Sequence, residues 1–112
     1  MKPRKTGLVS HETVMKAVKR LVDQFRPERI ILFGSQARGT ADARSDVDLL
    51  VITRVTERRR SLVVTMGRSL RGLDFARDIV VLTPEEFERD SHIPGTTARP
   101  ASIEGRVLYE RS

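Results

Sequence analysis

What most constrains the fold of this 112-residue chain is a change in the period of its apolar residues. Between residues 11 and 25, Val14, Val18, Leu21, Val22 and Phe25 recur at helical spacing and mark one amphipathic face. The pattern then contracts into short unbroken runs, Ile30-Ile31-Leu32-Phe33, Val47 to Ile52 and Ile79-Val80-Val81-Leu82, each the length of a buried strand. A second helical stretch, Thr56 to Leu70, carries Leu62, Val63, Met66 and Leu70 on one face and separates the last two runs. Val107-Leu108-Tyr109 supplies a short terminal strand. Strands that alternate with helices call for a layered arrangement. The expected fold is α/β (α+β): a mixed sheet of about four strands with helices packed on one face, residues 1–112 forming a single domain.

Boundary residues sharpen the reading. Ser10 is placed to cap the first helix, with Glu12 in its first turn, and Pro27 stops it. Gly34 ends the first strand, and Ser35-Gln36-Ala37-Arg38 has room for one helical turn before a polar loop, Thr40 to Ser45. Gly72 is the expected C-cap of the helix over 56–70. Thr83-Pro84-Glu85-Glu86 combines a cap, a proline at the first helical position and a Glu three residues after the cap, for a helix ending near Ser91. After Pro94-Gly95 a short helix is expected to run to Ile103 or Glu104. Pro100 sits awkwardly in it, and Gly105 ends it.

Composition removes several classes of function. Without cysteine there is no disulfide scaffold, thiolate zinc site or Cys nucleophile, and without Asn no glycosylation sequon. No run approaches the eighteen apolar residues of a membrane span, and no apolar segment follows the basic residues Lys2, Arg4 and Lys5 as in a secretory signal. A cytoplasmic protein with no membrane partner is therefore expected. The 21 Lys and Arg against 15 Asp and Glu give a net charge of +6, compatible with nucleotide, nucleic-acid or acidic-protein partners. At 4% aromatics and no Trp, stacking platforms for single strands are scarce, which counts against nucleic acid. The triplet Arg58-Arg59-Arg60 opposes the dipole of its helix and is either solvated or part of a docking face.

The chemistry concentrates between residues 33 and 51. Asp46 and Asp48 are two apart at the entrance to an apolar strand, so both carboxylates point to one face, with Cα atoms roughly 6.5 Å apart. Hard oxygen ligands at that spacing suit Mg²⁺, and burying them at the mouth of a core is costly without a cation or several donors. Asp78 opens the third strand, and joins the cluster if that strand lies beside the second. Gly34-Ser35 ends a buried strand where a phosphate can approach the backbone, Ser35 adds a hydroxyl donor, and Arg38 adds a fork for a terminal phosphate. Gly34 and Gly39 have the glycine spacing of a Walker A loop. Position 40 is Thr where that motif needs Lys, and no G-x-G-x-x-G occurs. His11 and His92 lie far apart without motif context.

Gly34-Ser35, a ten-residue gap and Asp46-Val47-Asp48 together resemble the signature of the DNA polymerase β-like nucleotidyltransferase superfamily. The fuller strings, Gly34-Ser35-Gln36-Ala37-Arg38-Gly39 and Ser45-Asp46-Val47-Asp48-Leu49, are similar to its minimal nucleotidyltransferases, and Asp78 matches the family's third carboxylate. The resemblance is tight over residues 30–52 and looser to 82. It implies ATP or another NTP as substrate and Mg²⁺, two ions, as cofactor. Asp46, Asp48 and Asp78 would be catalytic and metal-ligating; Gly34, Ser35, Arg38 and Ser45 would bind the nucleotide. The implied reaction is attack of an acceptor hydroxyl on the α-phosphate, with Asp78 helping to deprotonate it, transfer of AMP and loss of pyrophosphate. Proteins of this size in the family resemble the antitoxins of HEPN/MNT toxin–antitoxin pairs, which implies a HEPN-type protein partner presenting the acceptor. Oligomerisation is left open. A catalytically silent subunit that neutralises its partner by binding, and a small RNA-binding module, are the competing expectations.

Overall fold

The computed structural model describes residues 9–39 and 46–112. Helix α1 spans His11–Phe25. The Ser10 hydroxyl accepts a hydrogen bond from the Thr13 amide at 3.1 Å, and Pro27 lies buried just past the helix end. Strand β1 (Arg29–Phe33) leads into the one-turn helix α2 (Ser35–Arg38), and β2 (Val47–Ile52) follows the undescribed loop. Then come α3 (Arg59–Ser69), β3 (Arg77–Leu82), α4 (Pro84–Asp90), α5 (Ala98–Glu104) and β4 (Arg106–Glu110).

The four strands form one mixed sheet in the order β3-β2-β1-β4. β1 runs antiparallel to both β2 and β4, while β2 and β3 are parallel, joined through α3. Strand alternation sorts the apolar residues into two layers. Ile30, Leu32, Val47, Leu49, Val51, Ile79 and Val81 face α1 and α3, meeting Val14, Val18 and Leu21 from the first helix and Leu62, Met66 and Leu70 from the second. This is the expected helical layer. On the opposite face Ile31, Leu50 and Ile52 form a smaller cluster with Ala101 of α5 and Phe87 of α4. α4 and α5 therefore add cover there that the hydrophobic pattern did not announce, because their buried residues are few and small. Along this second face, the positions that follow Leu50 and Val80 toward the strand starts are Asp48 and Asp78.

Some boundaries move for identifiable reasons. α3 begins at Arg59 rather than Thr56, because its apolar face starts only at Leu62 and residues 56–58 have nothing to bury. Arg58 occupies the cap without a side-chain hydrogen bond. The helix closes at Leu70, whose amide bonds the Gly67 carbonyl at 3.2 Å; Gly72, at φ +93°, forms the turn beyond instead of the cap. β3 starts two residues early, at Arg77. The Arg77 guanidinium reaches the carbonyls of Gly67, Leu73 and Phe75 and ties the strand start to the end of α3. Pro100 is tolerated as the third residue of α5, where the amide has no partner within the helix. The capping box at Thr83 forms as expected. The Glu86 amide donates to Thr83 Oγ1 at 3.1 Å, and the Thr83 amide donates to Glu86 Oε1 at 2.9 Å.

Candidate active site

β3 does lie beside β2, and the parallel register sets Asp48 opposite Asp78. On its other side Asp48 pairs with Phe33, the last residue of β1, so it occupies the centre of the sheet at one end. Asp46 stands immediately before β2, two residues ahead of Asp48 and therefore on the same side of the chain. Asp46 and Asp78 are exposed; Asp48 is half-buried. Neighbouring strands lie about 4.8 Å apart, which places the Asp48 and Asp78 side chains shoulder to shoulder. Burial pushes the Asp48 carboxyl above the usual 3.8, the negative charges of Asp78 and Asp46 raise it further, and Arg38 opposes them.

Gly34 has a second role besides the one its place in the sequence suggests. Its backbone, at φ +78° and ψ −157°, lies in a region open essentially to glycine alone. A Cβ at this position would fall on the Asp48 carboxylate oxygen. The glycine thus lets the turn after β1 lie directly against Asp48, and the carboxylate and the Gly34-Ser35 turn form one continuous surface. No hydrogen bond engages the Ser35 hydroxyl among the described residues. Arg38, the last residue of α2, places Nη1 3.4 Å from Oε2 of Glu104 at the end of α5, both side chains being 44% exposed. Glu104 escaped the sequence reading because it lies 66 residues from Arg38 and carries no local signal. Ser45 lies outside the described residues. His11 opens α1 and His92 follows α4, both exposed and neither in the cluster.

Of the three carboxylates, Asp78 lines a cavity formed by described residues. A cavity of about 510 Å³ lies at the opposite end of the sheet between Arg29, Ile52, Phe87 and Arg111. A shallow groove of about 380 Å³ along β3 includes Asp78, with Val63, Phe75 and Arg77. The claim of the acidic cluster to chemistry rests on charge and register.

A family model for the nucleotidyltransferase domain matches residues 13–110, from α1 to the end of β4. The chain belongs to this family. One relative, an uncharacterised 98.6 kDa protein of Orgyia pseudotsugata multicapsid polyhedrosis virus, is 29% identical over 85 residues. That match takes in 76% of this chain but only 10% of the viral protein, so the chain spans about a tenth of its length. Among solved structures, a putative nucleotidyltransferase from Sulfolobus solfataricus superimposes with a TM-score of 0.62 at 23% identity, covering 89% of this chain and 79% of that one. A toxin–antitoxin structure with AMP-PNP gives 0.59 at 22% identity, covering 93% and 76%. A mutant of the toxin–antitoxin MntA-HpeT gives 0.56 at 25%, covering 88% and 73%. These likenesses establish the nucleotidyltransferase fold.

Among the described residues no three acidic or imidazole groups already close on one point. The donor set is nonetheless of the right kind for a divalent cation: oxygen donors only, two on adjoining strands and a third two residues away. Burial first and then the charges of Asp78 and Asp46 raise the proton affinity of Asp48, and a cation would relieve the repulsion. Asp46 and Asp78 are exposed, so packing does not fix their rotamers. In donor chemistry the set suits a hard divalent cation. No helix among the described residues is long and apolar enough to cross a membrane.

Proposed function

We propose that this nucleotidyltransferase domain moves a nucleoside monophosphate, AMP from ATP, onto a hydroxyl group of a partner protein, as the antitoxin half of a toxin–antitoxin pair. The observation that carries the proposal is the register pairing of Asp48 with Asp78, with the Gly34 turn packed against Asp48. This pairing sets two carboxylates side by side at one end of the sheet, within electrostatic reach of Asp46 and Arg38 and beside the turn that carries Ser35. Two of the structurally similar proteins are toxin–antitoxin assemblies, one of them with AMP-PNP, which supports both the nucleotide and the protein partner. A HEPN-type toxin is the partner this reading favours.

Asp46, Asp48 and Asp78 would hold Mg²⁺, as two ions; when bound, these supply charge neutralisation for the triphosphate and polarise the α-phosphate. The remaining work falls to the chain's own groups. Gly34 and Ser35 receive the phosphates at the turn, the glycine by admitting them to the backbone and Ser35 by donating its hydroxyl proton. Arg38 takes up a phosphate oxygen with its fork and balances the charge that develops as pyrophosphate departs. Asp78, exposed at the rim, accepts the proton of the acceptor hydroxyl. The acceptor oxygen then forms a bond to the α-phosphorus as the bond to the β-phosphate oxygen breaks.

The test is incubation with α-labelled ATP and Mg²⁺ together with the protein that co-purifies with the chain, Asp46→Asn run alongside. Label on the partner with the native chain alone supports the proposal. A tight complex that no NTP labels refutes transfer and leaves neutralisation by binding.

A further inference from the structure

Among the described residues Arg38 is the cation whose charge acts on Asp48, yet it sits on a helix of only four residues. Such a short element offers its last side chain little packing, and an arginine carries several rotatable bonds whose freedom opposes any fixed geometry. What restrains the guanidinium is Glu104, 3.4 Å away across the gap between α2 and α5. Glu104 is itself anchored through the backbone. α5 buries Ala98 and Ala101, and Ala101 packs on the sheet with Ile31, Leu50 and Ile52. The Gly105 amide donates to the Ala101 carbonyl at 3.1 Å, and a Cβ at Gly105 would collide with that carbonyl and with the Ile31 side chain. The turn from α5 into β4 therefore lies pressed on β1, and the residue just before it has a fixed position relative to the sheet.

Resting on the nucleotidyltransferase reading above, we infer that Glu104 is a positioning residue, which holds the Arg38 guanidinium at the rim of the carboxylate cluster so that its remaining N–H groups meet the nucleotide phosphates. A guanidinium has five donors in one plane, and among the described residues the contact to Glu104 occupies one nitrogen, leaving the rest of the fork for phosphate oxygens. The pair is exposed, and pairs of this kind add little to folding stability. Its effect belongs in nucleotide affinity.

Calorimetric titration of Mg²⁺·ATP into the native chain, Arg38→Ala, Glu104→Ala, Glu104→Gln and the double variant Arg38→Ala/Glu104→Ala tests this. The native chain should bind. Glu104→Ala should weaken binding roughly 3- to 10-fold, the scale of ordering one flexible side chain. Glu104→Gln, which keeps an acceptor for Arg38, should recover part of the loss. In the Arg38→Ala background the Glu104 change should have no further effect, and thermal midpoints should match the native one throughout. Native binding that Arg38→Ala weakens while Glu104→Ala leaves it unchanged overturns the positioning role and spares the nucleotide site. The same holds if Glu104→Ala weakens binding equally with and without Arg38. A native chain that binds none of the four NTPs overturns the underlying reading and this inference with it.

Discussion

Replacing Gly34 by alanine separates two contributions that meet at one atom. The first is conformational: φ +78° with ψ −157° is a glycine region, and holding another residue there costs about 1–3 kcal/mol. The second is steric, because the new Cβ lands on the Asp48 carboxylate, and forcing an extra carbon into an occupied space costs typically about 1–3 kcal/mol more. Gly34→Ala should therefore lose roughly 2–6 kcal/mol, a large share of the 5–15 kcal/mol that usually holds a domain together. At roughly 4–8 °C per kcal/mol in a chain of this size, the melting point falls by about 8 °C or more. Shortening Asp48 to alanine removes the carboxylate and leaves its Cβ 3.5 Å from the added atom, an ordinary contact. In that background Gly34→Ala should show only the backbone part. Urea unfolding of the four proteins should then give a coupling of about 1–3 kcal/mol in favour of the double variant. Additivity within about 0.5 kcal/mol would refute the claim that Gly34 is required by its contact with Asp48.

Asp48→Asn should stabilise the metal-free chain at neutral pH while abolishing transfer, since it keeps the volume and removes a half-buried charge that Asp78 and Asp46 repel. The folded-state pKa of Asp48 is raised above 3.8, so its proton favours the folded chain. Relative to the Asn variant, the native chain should lose stability as the pH climbs from that value through the raised one; a difference that stays flat in urea unfolding across this range contradicts the assignment. Thr83→Ala should cost about 1 kcal/mol by thermal or urea unfolding, because it removes half of the capping box. Glu86 is held below its usual 4.5 by the Arg59 guanidinium at 2.9 Å and by the Thr83 amide. Its stabilisation is present above the unfolded value and lost as pH falls through the lowered one, which comparison with Glu86→Gln will display. Ser35→Ala should weaken Mg²⁺·ATP binding in a calorimetric titration without moving the melting point; unchanged affinity removes Ser35 from the phosphate site.

Local chemistry was the legible part of this sequence. The bounds of α1 follow from Ser10 and Pro27, β2 runs over the Val47–Ile52 expected of it, and Thr83-Pro84-Glu85-Glu86 announces its capping box. The carboxylate cluster was legible as a condition only. Asp46 and Asp48 are neighbours by strand geometry, but Asp78 joins them through the choice of β2 as the neighbour of β3, which depends on how α3 packs back on the sheet. Contacts between distant elements carry no periodic signal, and Glu104 beside Arg38 is of that kind. Gly34 was legible as a special position, while its closeness to Asp48 needed the antiparallel register of β1 on β2. Arg59 also changes meaning in the fold. One member of the basic triplet is tied to Glu86 and to the Val81 carbonyl, leaving Arg58 and Arg60 exposed.

The central claim is that Asp48 and Asp78, brought together by parallel strand pairing, hold a divalent cation for a nucleotide. Paramagnetic resonance of Mn²⁺ titrated into the chain with a non-hydrolysable ATP analogue tests it most directly, with Asp48→Asn and Asp78→Asn in parallel. The account predicts saturable Mn²⁺ binding to the native chain that depends on the analogue and is lost in both variants, each still folded. Equal Mn²⁺ occupancy in native and variant chains, or none in any of them, would contradict it.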